Sequence, residues 1–168
     1  MSIVLMALAV LASVAMPVFA QDAAQRMSGP ASEAAVFSAL QPKPELSQFT
    51  NALRESDMDS VLRSGGQYTI FAPTNDAFGR MPANKASTMN QNKQGIDYVL
   101  GYHIVGGKIL PQQLKYTDSL TTLSTMDVPV SMGGNDIYID GARISGDGID
   151  TGNVMIYPIS AVMVPPRM

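Results

Sequence analysis

The sequence predicts an α+β fold built as one domain. Three observations carry this reading. A chain of 168 residues suits one domain better than two. Apolar residues recur at helical spacing through the first half, up to His103. From Ser119 onward the pattern changes to short strand-like segments separated by tight turns. Helices in one half and strands in the other imply helices packed on antiparallel sheets.

The N-terminus comes first. Ile3 to Ala15 is apolar except for Ser13, and residues 1–20 carry no charge. Val18-x-Ala20 before Gln21-Asp22 is the small-residue pattern that a signal peptidase reads, so a cut between Ala20 and Gln21 is expected. The apolar run of about 13 residues is short for a membrane span, which needs about 20. No stable membrane insertion is expected after cleavage. Met1-Ser2 lacks the usual basic residue, and a retained weak anchor or a buried helix are the competing readings. Residues 21–30 are polar and small, and read as a tether.

Ser32 is the expected N-cap of a short helix ending near Leu40. Gln41-Pro42-Lys43-Pro44 breaks it, and Pro44 suits the first turn of the next helix. Leu46, Phe49 and Leu53, with Ala52, make one apolar stripe. A third helix, Met58 to Arg63, ends at Ser64-Gly65-Gly66. Tyr68 to Ala72 is a buried strand that Pro73 stops, and Thr74 or Asn75 caps the turn bearing Ala77 and Phe78. Residues 83–95 read as a polar surface segment, partly helical. Ile96, Val99, Leu100 and His103 share a helix face. Pro111 opens a single turn holding Leu114. The expected strands then run over 120–123, 128–132, 137–139, 142–145, 154–157 and 161–164. Gly133-Gly134-Asn135 and Asp140-Gly141 are the hairpin turns, since positive φ favours Gly, Asn and Asp.

Composition removes several chemistries. Charged residues are 15% of the chain, against a usual fraction of roughly 25%, and the net charge is −3. Nothing here provides the dense basic face that nucleic acid requires. With no cysteine, disulfides, thiolate metal sites and cysteine nucleophiles are all absent. His103 is the one histidine and sits among Tyr102, Ile104 and Val105 without a Gly-x-Ser-x-Gly elbow, so a hydrolase has little to work with. A half-buried histidine bonded to backbone explains it better.

Residues 133–141 match one unit of the glycine-rich calcium-binding nonapeptide. Such units share ions between stacked copies, and there is one copy. Asp147-Gly148-Ile149-Asp150 reads as a turn. Gly101 to Lys108 has the spacing of a phosphate loop, but Ile109 stands where Ser or Thr must hold magnesium. The nine methionines after residue 20 are scattered and read as core filling. No cofactor and no metal is expected.

Tyr68-Thr69-Ile70-Phe71-Ala72-Pro73-Thr74-Asn75-Asp76-Ala77-Phe78 resembles the first signature of the fasciclin-domain family. Tyr102-His103-Ile104-Val105-x-Gly107-Lys108 is similar to the second. Ile149, Asn153, Ile156, Ile159, Ala161-Val162 and Pro165 fall in register with the family's last hairpin. The resemblance spans roughly residues 31–166. It departs at Val154, Tyr157 and Ser160, where the family usually has Gly, His and Asp, and at Pro158, which is expected to interrupt the strand.

The resemblance implies a single fasciclin-type α+β domain, a β-wedge with helices packed on it, of the secreted bacterial kind. It implies a secreted or periplasmic module, not an enzyme, that binds protein or polysaccharide at the cell surface or matrix. A carrier of a small apolar ligand, a pigment or lipid, is the alternative. Thr69, Phe71, Ala72, Pro73, Thr74, Asn75, Ala77 and Phe78 are expected to be structural. Tyr102 and His103 are the candidate interaction residues, because this region is implicated in adhesion in some members. Packing is the competing role for His103.

Overall fold

The computed structural model describes residues 31–90 and 93–165. The expected signal segment, its cut between Ala20 and Gln21, and the tether 21–30 lie outside the described residues. The described residues open with α1 (Ala31–Leu40), a 3₁₀ turn (Pro44–Leu46), α2 (Ser47–Glu55) and α3 (Met58–Arg63), before β1 (Tyr68–Pro73). Then come α4 (Asn75–Gly79), α5 (Ala83–Asn90), α6 (Lys93–His103), β2 (Ile104–Gly106) and α7 (Pro111–Leu114). The remainder is β3 (Ser119–Thr121), β4 (Asp127–Gly133), β5 (Asp136–Ile139), β6 (Ala142–Arg143), β7 (Ile149–Asp150) and β8 (Val154–Ile159).

The strands make two four-stranded sheets, ordered β2-β1-β8-β7 and β3-β4-β5-β6. The isolated bridges Val105–Thr122 and Ile144–Ile159 join them. The first sheet is the middle layer, and its two faces feed two cores. Ile70, Ala72, Val154 and Ile156 pack with Val36, Leu46, Phe49, Leu53, Leu62 and Leu100 of the helices. Phe71, Met155, Tyr157 and Ile159, one residue out of phase, pack with Val128, Val130, Ile139 and Leu114 on the second sheet's side. The period of two along β1 and β8 therefore sorts side chains between two apolar layers, not between core and water.

Several expectations need correction. Antiparallel pairing holds through the second sheet, but β1 and β8 at the centre of the first run parallel, with Phe71 opposite Tyr157. Both strands are buried on both faces, the setting in which parallel strands occur. β8 runs through Pro158 to Ile159: the proline lacks an N–H, but its carbonyl still accepts the Ser145 N–H at 2.7 Å. β1 likewise includes Pro73. Residues 161–164 form no strand; the chain bends after β8 and passes the end of α6 instead. The two-residue β7 escaped the sequence reading because a pair this short has no period. Ser32 falls inside α1, which opens at Ala31.

Candidate functional site

The first motif is committed to the fold residue by residue. Thr69 is fully buried, and its hydroxyl donates to the Gly107 carbonyl at 2.8 Å while accepting the Ile109 N–H at 2.9 Å. It thus ties β1 to the segment that leaves β2. The Phe71 ring stacks on Tyr157, centroids 5.9 Å apart. Ala72 faces the helices, and Pro73 ends β1 opposite Ile159.

Thr74 is the N-cap of α4, its hydroxyl accepting the Ala77 N–H at 3.3 Å. Asn75 is released for another task. Its Oδ1 accepts the Gln48 N–H at 3.0 Å, and its Nδ2 donates to the Pro44 carbonyl at 2.8 Å. The side chain pins α4 to the start of α2. Ala77 is buried. Phe78 is half-buried: it packs against the helix-side core and also lines a surface cleft.

Tyr102 and His103 end α6, where the helix hands over directly to β2. The His103 Nδ1 lies 2.7 Å from the Val99 carbonyl, so it carries the proton and donates. Its Nε2 then accepts the Met163 N–H at 3.0 Å. The acceptor carbonyl comes from the same helix, and the segment after β8 supplies a donor. This arrangement requires a neutral ring, and burial pushes the imidazole down from 6.5 to about 4.

Burial holds the Tyr102 phenol above its ordinary value, with the Asp140 carboxylate beside it as hydrogen-bond partner. Tyr102 is 3% exposed and His103 0%. A contact residue must offer atoms to its partner, and in the folded domain neither side chain does. The candidate pair is brought together, but inside the molecule. No buried side-chain nitrogen or oxygen among the described residues lacks a hydrogen-bond partner, and none of them form a group of three or more His, Asp or Glu fit to hold a metal. No helix among them is long and apolar enough to cross a membrane.

Accessible concavities lie elsewhere. One, of about 360 Å³, has Ala52, Phe78, Met81, Ala86 and Ile96 as its apolar lining, with Gln48, Asn51 and Glu55 at the rim. Another, of about 300 Å³, lies between α7 and the β5–β6 hairpin and carries Lys115, Asn135, Asp136, Arg143 and Asp147. Sequence reasoning did not single out Lys115 or Arg143, because nothing in local spacing joins residues from four separate segments. The one available signal was the glycine-flanked Asp147.

A helix-covered wedge with this motif on its central strand and the following cap defines a domain of the fasciclin kind. The Fasciclin domain family matches residues 44–165, and the chain belongs to that family. It is similar to the cell surface glycolipoprotein MPB83 of Mycobacterium bovis, 33% identical over 156 residues that cover 88% of this chain and 70% of that protein. It is also similar to the immunogenic protein MPT70 of Mycobacterium tuberculosis, 34% identical over 160 residues, 89% and 81% of the two chains. Among solved structures, a FAS1 domain pair from the insect cell adhesion molecule fasciclin I matches with a TM-score of 0.56 at 14% identity. That match covers 73% of this chain and 46% of the other, so this chain spans about half of that structure, and the likeness is one of fold.

Proposed function

We propose that this chain is an exported, non-catalytic interaction module, secreted or periplasmic, that binds protein or polysaccharide of the cell surface or matrix. The observation that carries this reading is its similarity, over 88% of its length, to a protein named a cell surface glycolipoprotein. The state of its one histidine supports the absence of catalysis: both ring nitrogens are engaged with backbone, so no lone pair is left for a substrate proton. We assign Tyr102 and His103 to the fold, with binding carried by the outer surface. Residues 1–20 serve as the export signal, 21–30 as the tether, and 31–166 as the domain.

The test is a pull-down of cell-surface proteins and polymers with the exported protein. Retention of a surface fraction is expected, and no retention from any fraction overturns the reading. N-terminal sequencing of the same material is expected to begin at Gln21; a mature chain that keeps Met6 or Leu11 is anchored instead. A hydrolase would reveal itself by an activity that His103→Ala abolishes while the fold persists.

A second reading, carriage of a small apolar ligand, is favoured by the cleft at Phe78, Met81, Ala86 and Ile96. Its volume of about 360 Å³ falls at the lower end of small-molecule sites, roughly 300–1,000 Å³. Colour or lipid that co-purifies with the protein, identified by mass spectrometry, supports it; a colourless, lipid-free protein removes it.

A further inference from the structure

The cleft between α7 and the β5–β6 hairpin has the chemistry of a saccharide site, and we propose that it binds a neutral oligosaccharide. This inference rests on the reading of the chain as a surface-binding module and names the class of ligand. The first observation is the polar rim. The side chains of Lys115, Asn135 and Asp147 have no hydrogen-bond or ion-pair partner among the described residues, although all three line one cleft of about 300 Å³. Beside them Arg143 pairs with Asp136 at 3.1 Å.

The rim mixes donors and acceptors. Lys115 and Arg143 donate, Asp136 and Asp147 accept, and Asn135 does both. Two cations face two carboxylates, so the cleft carries no net charge to select a phosphate or a polyanion. A sugar hydroxyl donates and accepts at once, and it is the partner that fits such a set. The apolar part of the lining is Ile137, Ile144 and the buried Tyr157, with Pro111 on the α7 side. That combination suits a pyranose ring, whose C–H face is apolar and whose rim is hydroxylated.

The second observation is independent of the polar groups. The large apolar side chains exposed among the described residues are Leu110, Tyr116 and Met132, and Tyr116 is 90% exposed. Each adjoins a cleft residue. Leu110 precedes Pro111, Tyr116 follows Lys115, and Met132 lies directly opposite Ile137 across β4 and β5. None of the three lines the cleft itself, but all stand on or beside the elements that frame it, and exposed apolar groups grouped on one part of a surface point to binding there.

The third observation is the seating of the loop that carries Asp147. Asp147 stands between Gly146 and Gly148, both at positive φ. A Cβ on Gly148 would come within 2.7 Å of the Tyr157 ring. The loop therefore lies directly on a buried aromatic ring whose hydroxyl is held by the Ile109 carbonyl at 2.9 Å. Asp147 is thus presented from a loop whose Gly148 end is seated against the packed wall of the cleft.

The test is a titration of the isotopically labelled exported protein, followed by amide shifts in NMR spectra. The probes are neutral trisaccharides of glucose, mannose, galactose and N-acetylglucosamine, with a uronic-acid trisaccharide and a short uncharged peptide as comparisons. At least one neutral saccharide is expected to shift the amides of Lys115, Gly146, Asp147 and Gly148 saturably. Asn135→Ala and Asp147→Ala are each expected to weaken that binding about tenfold, roughly 1.4 kcal/mol, at unchanged melting temperature. The inference is overturned if no neutral saccharide moves these amides, if only the uronate or only the peptide does, or if the double variant binds as well as wild type. Surface material retained equally by the double variant sinks the saccharide site and leaves the module standing. Failure to retain any surface material sinks the module reading itself.

Discussion

The Nε2 atom of His103 accepts the backbone N–H of Met163 at 3.0 Å, across 60 residues of sequence. With Nδ1 donating to Val99, one neutral ring clamps the C-terminal segment to the end of helix α6.

His103→Ala removes that clamp. The Met163 N–H is then buried without an acceptor, and such an orphan costs about 1–3 kcal/mol. Urea denaturation of the variant is expected to show that loss, with binding by the folded fraction unchanged. A variant of wild-type stability that has lost all binding would reassign Tyr102-His103 to partner contact.

The same ring makes stability depend on pH. In the unfolded chain the imidazole titrates near its ordinary 6.5; in the fold, burial lowers it to about 4. Between these values the unfolded state takes up a proton that the native state refuses. The contribution is complete above about pH 6.5 and is lost as pH falls toward 4, for a total of about 3 kcal/mol. Carboxylates titrate in the same range, so the measurement is the difference between wild type and His103→Gln, unfolded in urea at a series of pH values. The wild-type stability is expected to fall more steeply on acidification.

Phe71→Ala is expected to destabilise by about 3–5 kcal/mol, more than the loss of the clamp. Phe71 is fully buried, stacks on Tyr157 and faces the second sheet, so its removal leaves a cavity that two sheets cannot both move to fill. Chemical denaturation reads this directly.

Thr74→Ala and Asn75→Ala separate two neighbouring roles. The first removes the N-cap of α4 at a cost of about 1 kcal/mol. The second removes a tie to α2, also worth about 1 kcal/mol. The double variant is expected to lose less than the sum, because both act on the docking of one five-residue helix. Full additivity would mean that the cap and the tie act independently.

Calcium is expected to leave the melting temperature unchanged. Of Asp136, Asp140, Asp147 and Asp150, the carboxylates of the two glycine-rich stretches, Asp150 is held by Lys108 at 2.7 Å and Asp136 by Arg143 at 3.1 Å, so two are already neutralised. Melts with a chelator and with millimolar calcium should coincide; a marked upward shift would reveal a site.

Much of the fold was legible in local sequence. Leu46, Phe49 and Leu53 showed a stripe because a helix repeats every 3.6 residues, and all three are fully buried. Asp140-Gly141 announced its hairpin because both residues take positive φ, at 49° and 78°. Residues 68–78 carried the family signature because strand, cap and helix follow one another without interruption. In each case the signal is local, although Thr69, Phe71 and Asn75 of the signature make their contacts with distant segments.

What only the tertiary structure decided involves segments far apart in the chain. The parallel pairing of β1 with β8 cannot be read from either strand, since a run buried on both faces has no polar side to fix its partner or direction. Local sequence favoured packing over partner contact for His103, but only the folded chain brings Met163 from the other end of the domain to its ring. The cleft assembled from Lys115, Asn135, Arg143 and Asp147 leaves no sequence signal beyond the glycine-flanked Asp147. A local pattern records the period of one element; a site drawn from a helix, a hairpin and a glycine loop exists only once the sheets have fixed their distances.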